Sequence, residues 1–174
     1  MTNAELKLEL ADYFLIQGRF KTGRGYVGMS RSQYPQLFLD YFHSLSAEDK
    51  AGMVDILICG AIKDETEFSR QEVASLLGRL AIDRQVEYLK PHQQKLENIF
   101  LDPANLELWA NDEDSNGRNY FQTWRFALQL GCILKRIGSV EVDRGYKYLM
   151  AHAKFAHFQV ALQGNWRIIV ERGL

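Results

Sequence analysis

Residues 111–124, NDEDSNGRNYFQTW, hold the spacing in this chain that comes nearest to metal chemistry. Asp112, Asp114 and Asn116 alternate and Gly117 follows at once, which is how the first half of an EF-hand calcium loop is written. Calcium in such a loop takes oxygens from the first, third, fifth and seventh positions and is closed in by a bidentate glutamate at the twelfth. Counted from Asp112, the closing position is Thr123, and the eighth, whose side chain should pack inward, is Asn119. The ligand that completes the coordination is missing, so no metal and no other cofactor is assigned. Acids ahead of a helix have a simpler use, each favouring its positive end by about 0.3–1 kcal/mol. Asn116 or Gly117 suits the start of a helix near Asn119.

The same turn ends a longer acidic segment. From Glu97 to Asp114 there are six acids (Glu97, Asp102, Glu107, Asp112, Glu113 and Asp114) and no base, with Trp109 among them. Carboxylates around an exposed aromatic suit a basic protein partner, because charge raises the on-rate and the ring supplies affinity. Glu107, Trp109, Asp112, Glu113 and Asp114 are therefore the candidate partner-binding residues. The competing reading puts Trp109 in the core, as large aromatics usually are, and leaves the acids as a solvated rim.

A second candidate is QGRFKTGRGYVGMSR, residues 17–31, which has four basic side chains, four glycines and no acid. Guanidinium groups and bare amides hold phosphates, and aromatic rings stack on bases. Arg19, Lys21, Arg24, Tyr26 and Arg31 are the candidate phosphate or nucleic-acid contacts. No Gly-Lys-Ser/Thr follows and no strand precedes, so neither a P-loop nor a dinucleotide fingerprint is present. The plain alternative is a connection made soluble by charge, although structureless loops of about fifteen residues are often functional.

Recognisable catalytic sets are missing. His152 and His157 are five apart, which turns their rings about 140° from each other, whereas metal pairs on a helix are four apart. His157 falls on an apolar stripe and is expected in the core. Cys59 and Cys132 sit in apolar stretches without a CxxC spacing and are expected to be buried as small hydrophobes. An enzyme would have to assemble a dispersed site, with or without a metal, near Asp112 and Asp114.

The elements that must carry these groups read as helices. Thr2 with Glu5, Ser46 with Asp49 and Ser69 with Glu72 make capping-box patterns, and Asp102-Pro103 reads as a helix cap and first helical residue. Residues 119–137 are apolar nearly all round, which predicts a helix in the middle of a bundle, stopped at Gly138. A further helix is predicted from Asp143 to Gly164, and residues 165–174 could add a short strand. With 174 residues, 47% apolar and 25% charged, the chain is long enough for one packed core. The expectation is an all-α, single-domain bundle of about seven helices spanning residues 1–174.

Net charge is −1, but residues 1–117 hold 12 basic and 19 acidic side chains while residues 118–174 hold nine and three. Such a split makes a bipolar surface, or lets the two parts dock and neutralise each other. The start carries early acids instead of a basic, then apolar, leader, and no window is apolar enough to span a membrane. Together these features point to a small cytoplasmic protein-binding module. A stoichiometric inhibitor, or an immunity protein that neutralises a toxin by direct complex formation, would be of this kind. The alternatives are a nucleic-acid or nucleotide-phosphate binder using residues 17–31, and the dispersed enzyme.

Overall fold

The computed structural model describes residues 1–7, 34–62, 70–112 and 124–166. Nine α-helices follow one another among them: α1 Tyr34–Ser44, α2 Ala47–Ile62, α3 Arg70–Ile82, α4 Val86–Leu89, α5 Gln93–Phe100, α6 Pro103–Ala110, α7 Trp124–Arg136, α8 Val142–His152 and α9 Ala156–Trp166. No strand occurs among the described residues, and the fold is an all-α bundle. The first turn, residues 3–7, is also helical. None of these helices is long and apolar enough to cross a membrane.

Several starts lie where side-chain caps were expected. Thr2 Oγ1 accepts from the Glu5 amide at 3.2 Å while Glu5 Oε2 accepts from the Thr2 amide at 2.6 Å, a reciprocal capping box. Ser46 Oγ accepts from the Asp49 amide at 3.1 Å ahead of α2. Asp102 Oδ1 accepts from the Ala104 amide at 2.8 Å, with Pro103 at the first position of α6. Ser69 lies outside the described residues, so its box with Glu72 is not seen.

Two stretches break, the first at Pro91. Between Val86 and Phe100 a 3₁₀ turn, Lys90–His92, holds Pro91 and separates α4 from α5. The helix expected over Asp143–Gly164 is two helices, because Ala153 is extended (φ −62°, ψ 125°). The break has a partner: the Lys154 amide donates to the Ala110 carbonyl at 2.9 Å, satisfying an acceptor at the end of α6 that the helix itself cannot serve. The break also resets the phase of α9. Phe158 and Leu162, four apart, turn inward, while His157 is exposed and Val160 is 68% exposed. His157 is therefore not a core histidine.

Helix α7 runs through the middle, packing against α3, α5, α6, α8 and α9. Arg125 is its one exposed residue. Residues 119–123 of the predicted central helix, and 167–174 of the tail, lie outside the described residues. Around α7 the core is knitted by aromatics: Phe100 meets Trp109 at 6.1 Å and Tyr146 at 5.9 Å between ring centres, and Trp109 meets Phe126 at 6.2 Å. Cys59 departs from expectation. It is exposed, in a row with Ala51 and Asp55 at four-residue spacing on the outer face of α2. Cys132 is half-buried, and both thiols are free. Two histidines brace neighbouring elements: His43 Nε2 lies 2.6 Å from Asp83 and His92 Nε2 lies 2.9 Å from Asp55.

Helices α5 and α8 meet at a notch. A Cβ on Gly145 would overlap Phe100 Cε1 and stand 3.2 Å from Leu101 Cδ2. The Phe100 ring is held by two aromatic neighbours and cannot swing aside cheaply. Gly145→Ala should therefore destabilise by about 1–3 kcal/mol, even after a gain of up to about 1 kcal/mol in helix propensity. Urea unfolding checks this; a variant as stable as the parent would show that the notch is slack.

The aromatic core also sets the response to alkali. Burial pushes Tyr146 well above its ordinary value of 10.0, helped by the nearby Cys132, and burial raises the Cys132 thiol above 9.0. The two groups touch, Sγ to Oη at 3.9 Å. Both hold their protons more tightly folded than unfolded, so the unfolded chain binds fewer protons once pH passes the ordinary thiol range. Stability from this pair is complete below that range and is lost as pH rises. Melting temperature should fall steeply between about pH 9 and 11, and less steeply in Tyr146→Phe. An unchanged slope in the variant would remove Tyr146 from the cause.

Candidate functional site

Helix α5 ends at Phe100, and the chain turns at Leu101 and Asp102 into α6. Asp102 caps α6, and Asn105 Nδ2 donates to the Ile99 carbonyl at 3.0 Å, so the corner is braced from both sides. Opposite it runs α8. Between them lie two adjoining cavities of about 560 and 410 Å³, which share Leu101, Pro103 and Arg144 and so form one groove. The larger compartment is also lined by Gln94, Glu97, Asn98, Asp102 and Glu141. The smaller one adds Leu106, Glu107 and Tyr148.

Glu97 lines the larger compartment. It is only 7% exposed, and its Oε1 accepts from Ser139 Oγ at 2.6 Å and from Gln93 Nε2 at 2.8 Å. Ser139 reaches it because of how α7 stops. Gly138 takes φ +91°, a conformation that suits glycine, the Ser139 amide donates to the Leu134 carbonyl at 2.9 Å, and the Gly138 amide donates to the Lys135 carbonyl at 3.2 Å. This left-handed stop drops Ser139, 2% exposed, onto the carboxylate.

The groove is acidic. Four carboxylates (Glu97, Asp102, Glu107 and Glu141) face one cation, Arg144, and Arg144 lies 3.4 Å from Glu141. Glu97, Asp102 and Glu107 enter no ion pair among the described residues. In the smaller compartment the Tyr148 ring is half-exposed and meets His152 in a tilted contact, 4.5 Å between ring centres. An acidic compartment thus adjoins an apolar one built from Leu101, Pro103, Leu106 and Tyr148.

The structure sorts the residues singled out from sequence. Glu107 is exposed and lines the groove. Trp109 is not a surface anchor: at 2% exposure its indole packs on Phe100 and Phe126, because the apolar face of α6 points into the aromatic core. Asp112 is half-buried, with Oδ2 at 3.4 Å from the amide of Trp124, the first residue of α7. That contact is the helix-start use of an acid. Glu113 and Asp114 lie outside the described residues, as do Arg19, Lys21, Arg24, Tyr26 and Arg31. Among the described residues no three His, Cys, Asp or Glu side chains converge as metal ligands would.

Glu141, Arg144 and Tyr148 were not singled out from sequence. Their spacing, three and then four, marks the outer face of α8, but nothing local says which helix that face will meet.

The hydrogen bond from Ser139 to the Glu97 carboxylate should be one of the stronger in the molecule. Ser139→Ala is expected to lower stability by about 1.5–3 kcal/mol, and Glu97→Gln by less, since an amide oxygen still accepts the same bond. Denaturant unfolding of both variants checks the order; a reversed order would mean that the negative charge itself, and not the bond, holds this corner.

No protein-family model, curated protein or solved structure matches the chain.

Proposed function

We propose that this chain is a protein-binding module that holds a basic partner on its α5–α6 and α8 face and acts by occupying it, as a stoichiometric inhibitor or immunity protein does. The observation that carries the reading is the groove: four carboxylates and one arginine, three of the carboxylates entering no ion pair among the described residues, beside an apolar floor. Unpaired surface carboxylates raise the rate of encounter with a cationic partner, and a desolvated apolar contact then slows its release. Tyr148, 36% exposed, is a large side chain that lines the groove and is available for contact. The free thiols Cys59 and Cys132 fit a reducing compartment, and the cytoplasm is the proposed location.

The test is capture with the tagged full chain from lysate of the source cells at low and high salt, with protein and nucleic acid both identified. The expected result is one protein at a one-to-one ratio, with basic character and a slower on-rate at high salt. Nucleic acid released by salt would replace this function with phosphate binding through residues 17–31. Recovery of no stoichiometric protein would sink the proposal.

A further inference from the structure

We infer that the junction between α8 and α9 is a hinge that can straighten into one continuous helix, and that α9 then docks on a second copy of this chain. The bend is a product of tertiary contacts, and the sequence across it favours a helix that runs on.

Nothing local ends α8 or starts α9. Residues 153–156, Ala-Lys-Phe-Ala, hold no glycine or proline and none of the serine, threonine, asparagine or aspartate that caps a helix. Ala153 leaves the helix at φ −62°, ψ 125°, and Ala156 resumes it. Its φ is already that of a helix, so bringing Ala153 back takes a rotation about ψ alone. The bend is held from outside. The Lys154 amide donates to the Ala110 carbonyl at 2.9 Å, Gln159 Nε2 donates to the Ala153 carbonyl, and the Phe155 ring lies 6.0 Å from Trp124. In a continuous helix the Lys154 amide donates to the Met150 carbonyl and the Ala156 amide to that of His152. Straightening thus exchanges hydrogen bonds and does not simply lose them.

The second observation is the exposure of Val160. It is 68% exposed on a helix that has no Asp, Glu, Lys or Arg. In a straight helix Val160 falls in line with Ala153, Leu149 and Tyr146, the inward face of α8. The same residues therefore carry two apolar stripes. Phe158 and Leu162 serve the bent form, and the stripe through Ala153 and Val160 serves the straight one.

The occupant follows from what straightening uncovers. Phe158 and Leu162 are 0% and 1% exposed, and Phe158 stacks on Trp124 at 5.6 Å. A lone straightened chain exposes both side chains and the site they leave, which is unfavourable. A second copy offers the identical site and restores each contact, so α9 is exchanged between two copies. Arg144 and Tyr148 precede the hinge, and each copy keeps its groove.

The test holds the full chain at high concentration near its urea midpoint, returns it to buffer and separates the products by size-exclusion chromatography with light scattering. The expected product is a dimer that persists for hours after dilution, because each copy must partly unfold to release α9. Ala156→Pro suits the first position of α9 and blocks a helix through it, so it should cut the dimer yield by about tenfold or more and leave the monomer folded. Deleting residues 153–155 stops α9 from reaching its own site and should make the dimer the only folded form. A parent that stays monomeric, a dimer that falls apart at once on dilution, or equal dimer from Ala156→Pro would overturn the inference. A folded monomer of the shortened chain would do the same. Should the shortened chain not fold, the comparison of parent with Ala156→Pro decides.

Discussion

The contact between the Phe100 ring and the bare backbone of Gly145 sets the distance between α5 and α8, and the groove depends on that distance. The ring occupies the place a Cβ would take and is clamped by Trp109 and Tyr146. Burying a phenylalanine contributes about 1.5–3 kcal/mol, and each well-placed aromatic pair adds about 0.5–1.5 kcal/mol. These terms act at one point, so the α5–α6 corner and α8 behave as a fixed frame. The walls of the groove are thereby tied together beneath its floor.

A polar strut stands beside this apolar clamp. The left-handed stop at Gly138 delivers Ser139 to Glu97, and Gln93, one turn earlier on α5, closes from the other side. Taking a carboxylate out of water is unfavourable, and two donors on one oxygen offset part of that cost. They leave the other oxygen without a partner among the described residues. The end of α7 is tied to the α5 corner through one serine.

Local features were legible in the chain. Capping boxes at Thr2 and Ser46, the Asp102-Pro103 start, the stop at Gly138 and the apolar character of residues 124–137 depend on neighbours within one or two helical turns. The acidic run from Glu97 was also visible, and part of it lines the groove. Errors arose where local apolarity was taken for burial. Cys59 has isoleucine and leucine beside it, yet helical phase puts it outward with Asp55. His157 lies on a stripe that holds only if one helix runs through Ala153, and the bond between Lys154 and Ala110 breaks it. Trp109 sits among acids in sequence but one face away from them in space.

By itself the sequence determined that the chain is helical, where several helices begin and end, and that one segment concentrates carboxylates. Those properties follow from hydrogen bonds and periodicity over a few residues. Tertiary structure alone decided which carboxylates share a groove, that Glu141, Arg144 and Tyr148 form its far wall, and that Glu97 is buried with one oxygen engaged. Ser139 and Glu97 are 42 residues apart. A helix pattern says which face is apolar but not which other helix that face will meet, and the partner is chosen by the packing of the whole core.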